Sequence, residues 1–223
     1  MVHLHVRDAR GNLTDSPDIF RRTLDLVRRK SDIVIQGSTG GTPKGGIGAL
    51  SHEERAGGLL DERVEVGSLN MGSVNMGDDP YVNSGSEIRA WAALMQEKGI
   101  RPELEIFEAG MLETVRKMAA EGLLVPPFVC GVVAGLSLPA TPEVLCFLKS
   151  LLPADALWGV IHHHMPNFRA EHHGPGDGGH LRAGGVRRRD SLRPRAHSQD
   201  QCGAGPKSRG GDPGAGLRDR HPR

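Results

Sequence analysis

The chain has 223 residues and a formal net charge of +1, long enough for one sizeable core and short for two. So even a balance gives no electrostatic case for nucleic acid or an anionic membrane surface, and no stretch approaches the roughly 20 apolar residues of a membrane span. Three widely spaced cysteines, Cys130, Cys146 and Cys202, argue against a disulfide framework; with no signal-peptide layout at the N-terminus, the expected location is the cytoplasm.

In chain order, Val2-His3-Leu4-His5-Val6 reads as a strand whose alternation puts His3 and His5 on one face. Ser16-Pro17-Asp18 then gives an N-cap, a proline at the first helical position and an early acid, and Phe20, Leu24 and Val27 carry that helix to about Lys30. The apolar run Asp32 to Gln36 reads as a buried strand opening into the glycine-rich loop 37–43. A helical stretch from Ser51 to Leu60 leads to a strand over Val64 to Asn70 and a loop over Met71 to Asp79. Ser84 and Glu87 form a capping box for a helix with Ile88, Trp91, Ala92 and Met95 inward, ending near Gly99. Further strands are expected over Glu103–Phe107, Phe128–Val133 and Ala156–Ile161, separated by helices carrying Met111, Val115 and Met118, and Leu145, Leu148 and Leu152.

Strands alternating with helices at about 30-residue intervals describe parallel βα units, and their even spacing favours a barrel, the TIM (β/α)8 fold, over an open doubly wound sheet. Six strands are clear where a barrel needs eight. Beyond Phe168 there is no Ile, Phe, Met, Trp or Tyr, while Gly, Pro, Arg and His crowd together. The expected division is therefore a partial barrel over 1–168 and a tail over 169–223 that cannot offset its own ordering entropy.

Barrel chemistry gathers at the C-terminal ends of strands. His3 and His5 end the first strand, Ser38-Thr39-Gly40-Gly41 follow the second, Ser68 and Asn70 end the third, and Glu105 lies on the fourth, so all are expected at one mouth. The histidine pair reads either as incidental residues of an exposed strand or as two ligands of a metal such as zinc. The glycine-rich loop is either a plain βα turn or an anion cradle of backbone N–H groups, and it is not a P-loop, because no Gly-Lys-Ser/Thr follows. Glu105 is either a buried glutamate with a structural partner or a carboxylate that positions a substrate amine or hydroxyl. Consecutive histidines cannot all face one ion, so His162-His163-His164 supplies at most two ligands.

Five motifs together resemble, in order and spacing, the β-keto acid cleavage enzymes, typified by 3-keto-5-aminohexanoate cleavage in lysine fermentation. They are His3-Leu4-His5-Val6-Arg7-Asp8, Ser38-Thr39-Gly40-Gly41, Ser68-Leu69-Asn70-Met71-Gly72, the run Arg101 to Met111, and the island Gly178 to Gly184. The resemblance implies a zinc-dependent TIM barrel, homo-oligomeric in intact members. It would condense a β-keto acid with acetyl-CoA to give acetoacetate and a new CoA thioester. His3 and His5 would be zinc ligands. Ser38, Thr39, Gly40 and Gly41 would hold the substrate carboxylate, Ser68 and Asn70 would line the pocket, Glu105 would read the distal group, and Arg182 would support the catalytic base.

Two departures follow. Family members begin with another βα unit, so the chain is expected to be truncated before its first strand. Where the family continues with phenylalanine, a zinc-binding glutamate and an aspartate base, this chain has Val186-Arg187-Arg188-Arg189. Codons from Val186 onward, read one nucleotide later, can spell phenylalanine, glutamate and aspartate followed by an amphipathic helix. The same offset across Glu171 to Asp177 leads into the in-frame island, so a double frameshift is expected, with weak zinc binding and little activity in the chain as written. The alternative is an inactive barrel fragment or a binding-only protein.

Overall fold

The structure is a computed structural model that describes residues 1–40 and 50–162. Six parallel strands form one sheet: β1 (Val2–His3), β2 (Ile35–Gly37), β3 (Val66–Asn70), β6 (Arg101–Ile106), β7 (Val129–Ala134) and β8 (Leu157–His162), in the order β1-β2-β3-β6-β7-β8. Between β3 and β6 the chain adds an antiparallel hairpin, β4 (Val74–Met76) and β5 (Asp79–Tyr81). The helices are α1 (Pro17–Arg28), α2 (His52–Arg55), α3 (Gly85–Lys98), α4 (Ala109–Ala120) and α5 (Pro142–Leu151). Strands added one after another in chain order, with helical crossovers, form part of a barrel wall rather than a doubly wound sheet.

Local signals set the helix ends. The Ser16 hydroxyl accepts from the Ile19 N–H at 3.4 Å and Pro17 opens α1. Ser84 and Glu87 form a reciprocal capping box on α3, and Gly99 ends it at φ 68°, a left-handed conformation that costs glycine nothing. The hairpin is where the expected loop over Met71–Asp79 differs from the fold. Gly77, at φ 70°, makes with Asp78 a two-residue turn that matches strand twist, and Pro80 is tolerated because β5 is an edge.

Register decides which side chains face which way. The pairs His3↔Gln36, Gln36↔Val66, Ser68↔Glu103, Asn70↔Glu105 and Glu105↔Gly131 lie on one face of the sheet. Gly67, Leu69, Leu104 and Ile106 lie on the other. A Cβ at Gly67 would lie 2.6 Å from the Met95 side chain and 2.8 Å from Leu59, which identifies the second face as the one the helices cover. The core sits there, around the fully buried Leu24, Ile35, Leu59, Trp91, Met95 and Met118. Opposite it lies the inner face, where Gln36, Ser68, Asn70, Glu103 and Glu105 concentrate polar groups that a simple core would exclude.

Candidate active site at the inner face of the sheet

β1 ends at His3, so His5 lies just past the strand, yet the two imidazoles converge: the Nε2 atoms are 2.9 Å apart and the ring centroids 4.7 Å apart. Gln36, buried on the neighbouring strand, explains how His3 is set. Its amide Nε2 donates to Glu103 Oε2, which leaves Oε1 facing His3 Nδ1 at 3.1 Å. A carbonyl oxygen only accepts, so Nδ1 carries the proton and Nε2 offers its lone pair. Burial lowers the pKa of His5, as does the neighbouring His3, with Asp15 acting in the opposite direction. A neutral imidazole is the ligating form.

Two nitrogens each about 2.1 Å from one zinc ion sit roughly 3.4 Å apart at the tetrahedral angle, so the pair reaches ligating geometry by opening a few tenths of an ångström. The donor chemistry and the oriented lone pair fit two corners of a zinc site. Among the described residues no group of three or more His, Cys, Asp or Glu gathers to complete it. Replacing Gln36 with leucine removes the acceptor that sets the His3 tautomer. Zinc affinity should then fall by about 10–100-fold in a chelator competition, and an unchanged affinity would show that the orientation has no effect.

The other predicted residues surround this pair. Ser68 and Asn70 are buried on β3, and the Asn70 amide donates to the Tyr81 hydroxyl at 3.1 Å while its Oδ1 has no hydrogen-bond partner among the described residues. Glu105 is half-buried, and its pKa is pushed up to about 8, first by burial and then by the charge of Glu103. Its register partner Gly131 leaves a gap that Ile161 fills, so apolar atoms crowd the carboxylates' side of the sheet. Near neutral pH Glu105 is mostly a hydrogen-bond donor, and an arriving cation would have to displace its proton.

The glycine-rich loop differs from a simple cradle of free donors. Ser38 Oγ accepts the Gly40 N–H at 2.9 Å, so this loop caps itself. Thr39 is fully buried and its hydroxyl donates to the Ser68 carbonyl at 2.8 Å, tying the loop to β3. Gly41, Arg182 and the island Gly178 to Gly184 lie outside the described residues, and of His162-His163-His164 only the backbone of His162 is described. Sequence reasoning missed Gln36, Arg55 and Tyr81. The only signals they offered were a glutamine inside an apolar strand, an arginine before a glycine pair and the single tyrosine of the chain.

Residues 1–185 match the family described as beta-keto acid cleavage enzyme. A 3-keto-5-aminohexanoate cleavage enzyme of Fusobacterium nucleatum is 29% identical over 82% of this chain and 66% of its own length. One of Acetoanaerobium sticklandii is 32% identical over 82% of this chain and 67% of its own. A 3-oxoadipate:acetyl-CoA acetyltransferase of Cupriavidus necator is 36% identical, covering 71% and 55%. The chain thus spans about two thirds or less of these curated relatives. A solved structure titled "Apo structure of ObcA" shares the fold at TM-score 0.50 and 22% identity, covering 60% of this chain and 32% of that one. Among the described residues no helix is long and apolar enough to cross a membrane. On the extent of the family match, the chain belongs to the β-keto acid cleavage enzymes.

Proposed function

We propose that the chain carries the substrate and metal half of a zinc-dependent site that condenses a β-keto acid with acetyl-CoA, giving acetoacetate and a CoA thioester. The observation that carries this reading is the convergence of the oriented His3–His5 pair with Ser68, Asn70 and Glu105 on one face of a parallel sheet. His3 and His5 would hold zinc, which when bound would supply Lewis acidity toward the keto oxygen of the substrate. Gln36 holds His3 in the ligating tautomer, the Ser38–Gly40 loop holds the carboxylate end, Ser68 and Asn70 line the pocket, and Glu105 faces the distal group.

The third metal donor and the base are assigned to the acidic pair that Arg187 and Arg188 replace. The family match running to Gly185 is consistent with a change of reading frame there. Arg182, within the in-frame island Gly178 to Gly184, is assigned to support that base, 1–168 to the barrel portion and the rest of 169–223 to the out-of-frame tail. A cytoplasmic location and a homo-oligomer in intact relatives complete the reading. The test is acetoacetate release from acetyl-CoA and a panel of β-keto acids with cationic, neutral and anionic distal groups, with zinc supplied. Slow release with the chain as written is expected. No release from any member of the panel, even after the acidic pair is restored, would overturn the reading.

A further inference from the structure

Tyr81, the only tyrosine of the chain, closes β5 with 7% of its surface exposed. Its oxygen accepts from the Asn70 amide at 3.1 Å and from Arg55 Nη2 at 3.2 Å. A phenol oxygen has two acceptor positions and one proton. Both acceptor positions are used, and among the described residues nothing accepts the proton. That proton borders the loop at Ser38–Gly40: a Cβ added to Gly40 would lie 3.2 Å from the Tyr81 hydroxyl and 3.0 Å from Ser38 Oγ. Beside it, Asn70 is 2% exposed and its Oδ1, an acceptor, has no hydrogen-bond partner among the described residues.

Arg55 explains why the hydroxyl points this way. The guanidinium is buried, donates to the Thr39 and Val82 carbonyls at 2.9 Å each and also to Asn83 Oδ1, and lies 4.4 Å from the centre of the Trp91 ring. Its hydrogen bonds go to neutral oxygens and its face to an aromatic ring, while its charge also reaches the Glu87 carboxylate, whose pKa the Ser84 hydroxyl lowers most and Arg55 helps to lower. It clamps the Thr39 loop to the hairpin, and by donating to the phenol oxygen it strengthens the hydroxyl as a donor.

Resting on the proposed substrate class, we propose that the Tyr81 hydroxyl is a substrate-binding donor that contacts the carboxylate of the β-keto acid between Asn70 and Gly40, and that Arg55 is the positioning residue that aims it. The full chain, labelled with 3-fluorotyrosine, gives one fluorine resonance to follow. Acetoacetate, added with zinc present, should move this resonance saturably, whereas acetone, which lacks the carboxylate, should not. In calorimetry Tyr81→Phe should weaken acetoacetate binding by about tenfold, the loss expected for a hydrogen bond to a charged group. Arg55→Lys keeps the charge and loses the fork, so it should displace the fluorine resonance before ligand is added and weaken binding several-fold. Equal affinity in wild type and Tyr81→Phe with an unmoved resonance would overturn this inference alone, leaving the carboxylate to the loop. Failure of the wild-type chain to bind acetoacetate at all would overturn the substrate reading and this inference with it.

Discussion

Restoring phenylalanine, glutamate and aspartate after Gly185, with the sequence that follows them one nucleotide out of register, should raise acetoacetate formation by about 10²–10⁴-fold over the chain as written. That range is what a positioned general base contributes. In the chain as written, Arg187 and Arg188 stand where the acidic pair is expected, and arginine neither ligates zinc nor accepts a proton. Two imidazoles alone leave the metal weakly held, since a catalytic zinc site takes three protein ligands. The rate of acetoacetate release from acetyl-CoA by the two chains checks this. Equal rates would mean that the substitution at these positions is not what limits the chain.

Replacing Glu105 with glutamine should stabilise the fold at alkaline pH by on the order of 3 kcal/mol. In the folded chain burial and Glu103 hold its pKa at about 8, whereas the ordinary value is 4.5. Between those limits the folded chain keeps a proton that the unfolded chain has lost. Wild-type stability therefore falls as pH rises through this window and levels off above it. The whole shift would correspond to about 5 kcal/mol, and water reaching the half-buried side chain reduces it. Urea unfolding at pH 5 and pH 9 should show the two proteins closely matched at pH 5 and separated at pH 9. Parallel pH dependences would contradict the burial of an ionisable group there. The same shift bears on substrate choice, because a cationic distal group would bind with release of a proton and more tightly as pH approaches 8.

The parts of this architecture that were legible in the sequence rest on local physics. The Ser16 and Ser84 caps, the left-handed Gly99 and the buried stripe of α3 each depend on residues within a turn or two of one another. The histidine pair was equally legible, since two residues of spacing suffice to bring imidazoles together. What orients them was not. Gln36 lies 33 residues from His3 and 67 from Glu103, and only the parallel register of β1, β2, β3 and β6 makes them neighbours. Arg55 reads locally as one polar residue inside the helical stretch Ser51 to Leu60, and Tyr81 falls outside every expected element. Their joint role depends on the end of α2 meeting the end of the hairpin, where Arg55 reaches Tyr81, Val82 and Asn83, 26 to 28 residues away, which no periodicity encodes. Thr39 shows the converse: its place in a glycine-rich loop suggested a ligand contact, while its hydroxyl is committed to the Ser68 carbonyl.

The central claim is that His3 and His5 are the metal-binding half of the site. Calorimetric titration of zinc into the full chain and into its His3→Ala/His5→Ala double variant tests it most directly. Histidines such as His172, His173 and His180 in the tail give zinc other partners, so the difference between the two proteins is what matters. The account predicts that one weak site present in wild type is missing from the double variant. Zinc binding that is unchanged by loss of both histidines would contradict it.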